Sequence, residues 1–504
     1  MTITTGKITM TLSKLLTTTA AATMMALPAF AMDVTIAQTS AVNTLDPHGS
    51  ASVGLDLSVL SHIYPTLILR APDYSLQPSL ATDWEAVDDN TWKFTLTEGA
   101  TFANGEPLDA ETVAWNIARV TDAENPKRIS SWFSQIDGVN VISPTEFEIT
   151  TSSPYPALPA QLSMFMLLPP EWASEHDPVT ETMSGFKYQM TEYVPGDHIT
   201  LSPNPDFWGE AAQFDSVTFR VIPETASRVA ALMAGEVDLI NKVPASEIAR
   251  IEESPNATAG AVDSTRSVFI KFNTEKAPLD NKAFRQALNY AVDKELIADA
   301  LFDGLATVSN CQVMTPDYFG YNPDLEAYPY DPERARELLE ESGVDLSQTI
   351  EFELPAATYL QGEEVTQAVA QMFGDVGVKT EIQTMEFGAY LDKYRAAHDL
   401  GRLSLLGQAW ATIDADGLLT LFKPGNQYSY WNDEAFDEQL VAGIATTDPE
   451  EREAAYKKAT EIMCEEAPVV FLYAQPATFG ASTRVTYEGR GDDWLRAFDM
   501  SPAD

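Results

Sequence analysis

Stretches with the two-residue period of a β-strand are repeatedly followed, in this chain, by stretches with the period of a helix. Residues 216–222 predict a strand ahead of a helix over 226–234, and residues 267–272 precede a helical pattern over 281–302. This alternation is typical of mixed sheets covered by helices, since each element then buries its apolar side against the next layer. The sequence therefore predicts an α/β fold.

The length of the chain indicates more than one compact unit. Its 504 residues, of which 45% are hydrophobic, can fill two or three cores. No low-complexity linker and no internal repeat divides the sequence, so we expect units that are connected by several chain crossings. A rigid two-lobed body with a cleft fits this expectation, but a large single-lobed enzyme would produce a similar pattern.

The first 31 residues have the order of a secretory signal peptide. Lys7 and Lys14 precede an apolar run that begins at Leu15, and the segment ends in Pro28-Ala29-Phe30-Ala31, a small-residue cleavage site. We therefore expect export and cleavage after Ala31. No later stretch reaches 18 uninterrupted apolar residues, so we expect no membrane span.

Two cysteines, Cys311 and Cys464, bear on location and on covalent structure. Both lie far from the predicted cleavage site, so we expect no lipid anchor and a free protein retained in a periplasm. That compartment permits disulfides, and we predict one Cys311–Cys464 bond. Two separate buried thiols are the alternative, and the spacing matches no CxxC or metal motif.

The charge of the chain is strongly acidic. It has 75 acidic and 31 basic residues, a formal net charge of −44. A chain with this charge repels nucleic acid and anionic membrane surfaces, so we expect neither as a partner. The acids are spread along the chain, which favours a solvated surface suited to a salty habitat over a special cationic substrate.

Motifs of catalysis are missing from the sequence. The five histidines are widely separated, and no GxSxG elbow, Walker loop or complete GxGxxG occurs. We therefore predict a protein that is not an enzyme and has no cofactor and no metal site. A secreted hydrolase is a weak alternative, which turnover of a peptide or an ester on incubation would reveal.

Six segments match the amino-acid sequences of one known family, and they occur in the same order as in that family. One of them reads Asn204-Pro205-Asp206-Phe207-Trp208-Gly209. Through these segments the chain resembles the family 5 extracellular solute-binding proteins, the binders of oligopeptides, dipeptides, glutathione and nickel that feed ABC importers. The six segments are residues 76–85, 102–113, 204–209, 272–294, 330–339 and 448–473.

The resemblance implies a type II periplasmic-binding-protein fold, with two α/β lobes, mixed sheets and a two-strand hinge. Lobe one would comprise residues 32–265 and 480–504, with an inserted subdomain at about 71–184, and lobe two residues 266–479. It also implies a monomer that closes on a small solute and docks on an ABC permease and ATPase complex in the inner membrane. A small peptide is the expected solute; an opine, an oligosaccharide or a metal complex is the alternative.

The same resemblance points to a loop after a strand-like run as the solute site. In the peptide-binding relatives a Trp on this loop is followed, three residues on, by an Asp that pairs with the ligand's α-ammonium group. Trp410 matches the Trp, but Ile413 stands in the place of the Asp. We therefore expect Asp414 or Asp416 to hold the ammonium group, with a helix cap as the alternative for either.

A peptide also needs a cation for its carboxylate, and the planar, permanently charged guanidinium of Arg suits that role. The stretch before Arg395 is similar to one in the oligopeptide binders that also carries an Arg. Arg395 is our first candidate and Arg402 the second. An exposed helical cation is the alternative for both.

Four aromatic residues complete the expected site. Tyr428, Tyr430 and Trp431 form a dense group that would wall the cleft, although packing in a core is an equal alternative. From lobe one, Phe186 is expected to face the ligand.

Overall fold

The computed structural model describes residues 1–2, 32–356 and 358–503. The predicted signal peptide lies almost entirely outside the described residues. In the part of the chain that is described, no helix has both the length and the apolar character that a membrane crossing requires.

The strands of the described residues form one large mixed sheet, a four-stranded sheet and two small ribbons. The strands are β1 Asp33–Gln38, β2 Ile68–Arg70, β3 Leu76–Pro78, β4 Ala81–Asp88, β5 Thr91–Leu96, β6 Ile136–Ser143, β7 Glu146–Thr151, β8 Tyr188–Val194, β9 His198–Pro203, β10 Ser216–Val221, β11 Leu239–Asn241, β12 Ala257–Phe272, β13 Thr307–Val308, β14 Thr349–Pro355, β15 Lys379–Met385, β16 Leu403–Gln408, β17 Val469–Ser482, β18 Val485–Thr486 and β19 Ser501–Pro502.

The α-helices lie between these strands, as the alternating pattern predicts. They are α1 Ser58–Leu60, α2 Ala110–Thr121, α3 Leu158–Leu162, α4 Pro170–Glu175, α5 Thr225–Met233, α6 Ala245–Glu252, α7 Lys282–Tyr290, α8 Lys294–Phe302, α9 Pro332–Ser342, α10 Gly362–Asp375, α11 Phe387–Leu391, α12 Ala415–Leu419, α13 Glu434–Ile444 and α14 Pro449–Glu466. The α/β fold class is confirmed.

Capping side chains set several of the helix boundaries. Asp109 accepts a hydrogen bond from the Thr112 amide at 3.0 Å and so begins α2. The helical stretch predicted over 281–302 is two helices instead of one. The side chain of Asp293 accepts from the Leu296 amide and starts α8, which separates it from α7.

The large sheet runs in the order β15-β14-β16-β12-β17-β11-β1-β10-β9-β8, with β13 beside β17. Its parallel and antiparallel neighbours are mixed: β1 is parallel to β10 and β11, and β12 is antiparallel to β16 and β17. The four-stranded sheet, β4-β5-β7-β6, belongs to a separate layer with its own buried core.

Two long antiparallel strands, β12 and β17, connect the two halves of the molecule. They have 16 and 14 residues, and their register breaks between Asp263 and Ser267. On one side of this break the pair is flanked by β11, and on the other by β16. The two strands therefore form the predicted two-strand hinge between two lobes. The domain boundaries at residues 265 and 479 stay a prediction.

Buried apolar side chains gather on both sides of the hinge. Clusters around β1, around the four-stranded sheet and around α5 fill lobe one, and two clusters flank the sheet of lobe two. In lobe two the structure joins Cys311 and Cys464 by a disulfide, with 5.2 Å between their Cα atoms. This bond ties the segment after β13 to the last turn of α14.

Candidate functional site

The loop that follows β16 lies between the two lobes. The last residue of β16, Gln408, pairs with Ser267 at the hinge, so the loop leaves the sheet of lobe two beside lobe one. Ala411 then packs against the main core of lobe one. The carbonyl of Thr412 accepts a hydrogen bond from Arg70 Nη2 of lobe one at 3.0 Å. The predicted solute loop is thus a contact surface between lobes.

The shape of this loop is fixed by hydrogen bonds to the hinge and by a close approach to α12. The Trp410 amide donates to the Tyr318 hydroxyl at 2.7 Å, and that hydroxyl donates to the Thr265 carbonyl at 3.1 Å. The half-buried Trp410 indole lies over Gly417. A Cβ added there would come within 1.9 Å of indole Cδ1, so only glycine fits.

Asp414 already has a cationic partner inside the protein. Its two carboxylate oxygens accept from Arg452 Nη2 at 2.8 and 2.9 Å, and both side chains are nearly buried. One oxygen also accepts from the Asp416 amide at 3.1 Å, which caps α12. The helix-cap alternative is therefore what the structure shows for Asp414.

Asp416 lies half-buried in the first turn of α12 and forms no ion pair with any described cation. Burial and the neighbouring Asp414 carboxylate raise the pKa of Asp416 well above its usual range. Tyr155 comes from lobe one. Burial, then the charges of Asp416 and Asp414, raise the pKa of its phenol well above the ordinary value. Asp416 therefore has no ion-pair partner among the described residues, and the nearby Arg452 charge, which lowers its pKa, does not offset the effect of burial.

The structure does not bring Arg402 to this loop. Arg402 precedes β16, whereas Trp410 follows it, so the two lie at opposite ends of the strand. Its Nη1 donates to both Glu351 carboxylate oxygens at 2.8 and 2.7 Å, and its Nε donates to the Ala277 carbonyl. Its charge is satisfied by Glu351.

Arg395 differs from Arg402 in its polar contacts. It lies half-buried in the short helical turn Asp392–Ala396, and its side chain forms no ion pair or hydrogen bond within the described residues. Its role as a partner for a carboxylate remains a prediction.

The aromatic group after residue 426 lies mainly in the core of lobe two. Tyr430 and Trp431 are buried there, and the Tyr430 hydroxyl donates to the Tyr394 carbonyl at 2.6 Å. Tyr428 is half-buried, with its ring centroid 5.3 Å from that of Tyr394. For Tyr430 and Trp431 the arrangement is that of the core-packing alternative.

Phe186 is buried in lobe one and packs edge-on against two other rings. Its centroid lies 5.2 Å from that of Phe207 and 5.8 Å from that of Phe498. The side chain thus packs against rings of its own lobe.

Sequence reasoning missed the partners of the loop. Arg70, Tyr155 and Tyr318 carry no motif and come from segments far from the loop in the chain. Arg452 lies in one of the six family-like segments, but nothing in the sequence of that segment indicates that Arg452 pairs with Asp414.

Among the described residues, two of the cavities lie away from this loop. One, of about 380 Å³, is lined by Phe284, Ile350 and Arg402 among others in lobe two. The other, of about 340 Å³, lies beside Arg490 and Asp499 in lobe one. Neither is lined by the Trp410 loop. Among the described residues, no group of three or more His, Cys, Asp or Glu side chains is placed to hold a metal ion.

Comparisons with known proteins agree with this architecture. The model of the bacterial extracellular solute-binding proteins, family 5 Middle, matches residues 75–430. The glutathione-binding protein GsiB of Salmonella paratyphi A is 27% identical over 490 residues, which cover 92% of this chain and 94% of that protein.

Two solved structures share the fold. The ABC transporter substrate-binding protein CtaP from Listeria monocytogenes has a TM-score of 0.84 at 21% identity, over 94% of this chain and 99% of that one. The periplasmic binding protein DppA from Helicobacter pylori, in complex with the peptide STSA, has a TM-score of 0.79 at 22% identity, with the same coverage.

Proposed function

The chain belongs to the bacterial extracellular solute-binding proteins of family 5, the substrate-binding proteins of ABC importers, and on that premise we propose that its solute is a short peptide or peptide-like molecule. Two similar proteins support the choice of a peptide. GsiB is named for glutathione binding, and the DppA structure holds the peptide STSA.

The observation that carries the proposal is the carboxyl group of Asp416. It lies four residues after Thr412, whose carbonyl contacts lobe one, it is half-buried, and Arg452 is already paired with the neighbouring Asp414. A buried carboxylate without a counter-charge is unfavourable, and an ammonium group at hydrogen-bond distance removes that cost. The free N-terminus of a peptide supplies such a group, and Asp416 is therefore our choice over Asp414 as its partner.

Aromatic side chains from both lobes would enclose the first residue of the peptide. Trp410 is held over Gly417 on lobe two, and on lobe one the charges of Asp416 and Asp414 add to burial in raising the pKa of the Tyr155 phenol. Aromatic walls supply apolar area while a few fixed polar groups set the orientation, which is the usual composition of a small-molecule site. A solute between them would contact both lobes and favour closure.

Arg395 is our proposed partner for the carboxylate of the peptide, because Glu351 already holds Arg402. We further propose that the chain is exported through a signal peptide cleaved after residue 31 and works in the periplasm as a monomer. It would deliver its solute to an ABC permease and ATPase complex in the inner membrane. In this role the solute is returned chemically intact, so the protein would not be an enzyme.

The direct test is calorimetry with reduced glutathione and trialanine, each compared with its N-acetylated form. We expect the free peptide to bind and the acetylated one, which lacks the ammonium group, to bind at least about tenfold more weakly. Asp416→Asn should produce the same loss. Glu111→Gln, which alters an exposed acid in the first turn of α2, is the matched control and should bind as the wild type does. Equal binding of free and acetylated peptides would refute the ammonium site.

The pH dependence of affinity gives a second readout. Because the pKa of Asp416 is raised in the free protein and an ammonium group favours the ionised form, solute binding releases a proton below that pKa. Affinity should therefore fall as the pH is lowered through the raised pKa of Asp416. It should also fall above about pH 8, where a peptide amine loses its proton. In Asp416→Asn the loss of affinity at low pH should disappear. If the affinity of that variant still falls at low pH, another group is responsible for the titration.

A further inference from the structure

Arg70 makes a direct contact across the cleft, from the end of β2 in lobe one. Its Nη2 donates to the Thr412 carbonyl of lobe two at 3.0 Å, and its Nη1 donates to the Tyr74 carbonyl of its own lobe at 3.0 Å. The side chain is only 6% exposed, and no described carboxylate forms an ion pair with it. The guanidinium group is thus shared between the two lobes.

A second contact between the lobes, here called the rim contact, is exposed to solvent. Asp89 lies on the turn between β4 and β5 of the inserted subdomain. Its Oδ1 accepts from the Thr447 hydroxyl at 3.1 Å and from the Thr447 amide at 3.4 Å. Thr447 directly precedes the cap of α14 in lobe two. These two contacts between the lobes differ in exposure, since the Arg70 bond is buried and the Asp89 bonds are exposed.

We propose that Arg70 and Asp89, with Thr412 and Thr447, form a clasp that holds the lobes closed whether or not a solute is bound. Every group of this clasp belongs to the protein, so its contribution to closure needs no ligand. The Arg70 contact should stabilise the closed state more than the rim contact does. A buried hydrogen bond from a charged donor contributes more free energy than an exposed hydrogen bond between a neutral donor and a carboxylate.

The position of Thr412 gives the clasp a further role. Its carbonyl lies two residues after Trp410 and two before Asp414, so the contact with Arg70 also positions the loop proposed to bind the solute. If the closed state is already populated without solute, less free energy is spent on closing the lobes when the solute binds. The apparent affinity then rises in proportion to the closed fraction. The clasp therefore sets affinity without touching the solute.

The test uses the full mature chain without solute, in small-angle scattering. Arg70→Met removes the inner contact, and Thr447→Val removes the hydroxyl of the rim contact. Arg228→Met is the matched control, because Arg228 is also a buried lobe-one arginine that donates to backbone carbonyls, those of Ile222 and Pro223 in its own lobe. Circular dichroism verifies that each variant is folded.

We expect Arg70→Met to lower the ratio of closed to open protein about tenfold or more, seen as a larger radius of gyration. Thr447→Val should shift the ratio in the same direction by a smaller factor, and Arg228→Met should match the wild type. If Arg70→Met does not fold, the radius of gyration of Thr447→Val alone tests the proposal. Dimensions equal to the wild type in the folded clasp variants would overturn the proposal, and so would an equal expansion in Arg228→Met.

This test is independent of the peptide proposal, since no solute is present. If no peptide binds, the proposed solute is wrong but the scattering result stands. If peptides bind and the clasp variants keep wild-type dimensions, only the clasp is refuted.

Discussion

Removing the guanidinium of Arg452 should destabilise lobe two strongly, because it leaves the Asp414 carboxylate buried without a partner. Both side chains are about 5% exposed, and Nη2 contacts both carboxylate oxygens, at 2.8 and 2.9 Å. Loss of one partner of such a buried pair costs about 3–5 kcal/mol. Arg452 also lies 4.6 Å from the Phe319 ring centroid, so Arg452→Met, which keeps an apolar stem there, isolates the loss of charge.

The assay is urea unfolding followed by tryptophan fluorescence, with the free energy of unfolding taken from the transition of lobe two. Arg452→Met should lower that free energy by about 3–5 kcal/mol. The double variant Arg452→Met/Asp414→Asn, which removes both charges, should recover a large part of the loss. Arg334→Met is the control, since its ion pairs on α9 are exposed and should contribute less than about 1 kcal/mol.

Two results would refute this reasoning. One is an Arg452→Met variant no less stable than Arg334→Met, which would mean that Asp414 is ionised at no cost or not ionised at all. The other is a double variant that is no more stable than Arg452→Met, which would mean that lost packing, and not an unpaired charge, causes the destabilisation.

The remaining predictions concern the loop and the disulfide. Gly417→Ala should displace the Trp410 indole and weaken peptide binding at least about tenfold by calorimetry. Gly374→Ala, in α10 where a new Cβ meets no atom within 4 Å, should bind as the wild type does; an equal effect of both would contradict the packing argument. Reduction of Cys311–Cys464 should lower the free energy of unfolding by about 2–4 kcal/mol, and a Cys311→Ser/Cys464→Ser variant should show the same loss and no response to reductant.

The parts of the fold that local chemistry determines could be predicted from the sequence. The strand over 216–222 and the following helix are β10 and α5, because alternation and helical periodicity are properties of adjacent residues. Asp109 begins α2 for the same reason, since its capping bond reaches only three residues ahead. The two-lobed arrangement instead followed from a resemblance, since periodicity does not indicate which strands cross between lobes.

The roles within the candidate site could not be assigned in this way. Asp414 and Asp416 have the same type and lie on the same turn, and the sequence does not distinguish them. What separates them is Arg452, 38 residues from Asp414, which forms an ion pair with Asp414 and none with Asp416 among the described residues. The contact between Arg70 and Thr412 joins residues 342 positions apart, a pairing that no local pattern encodes.

The loop after β16 is where three separate constraints meet. Tyr318 ties it to the hinge through the Thr265 carbonyl, Arg70 ties it to the opposite lobe, and Arg452 fixes its acidic end within lobe two. A solute ammonium group at Asp416 would bind next to all three, so hinge, lobe contact and solute would act on one short segment. If that coupling holds, Arg70→Met and Asp416→Asn should not be additive in peptide affinity, because the second change acts on a loop that the first has already released. Strict additivity would show that closure and the ammonium site are independent.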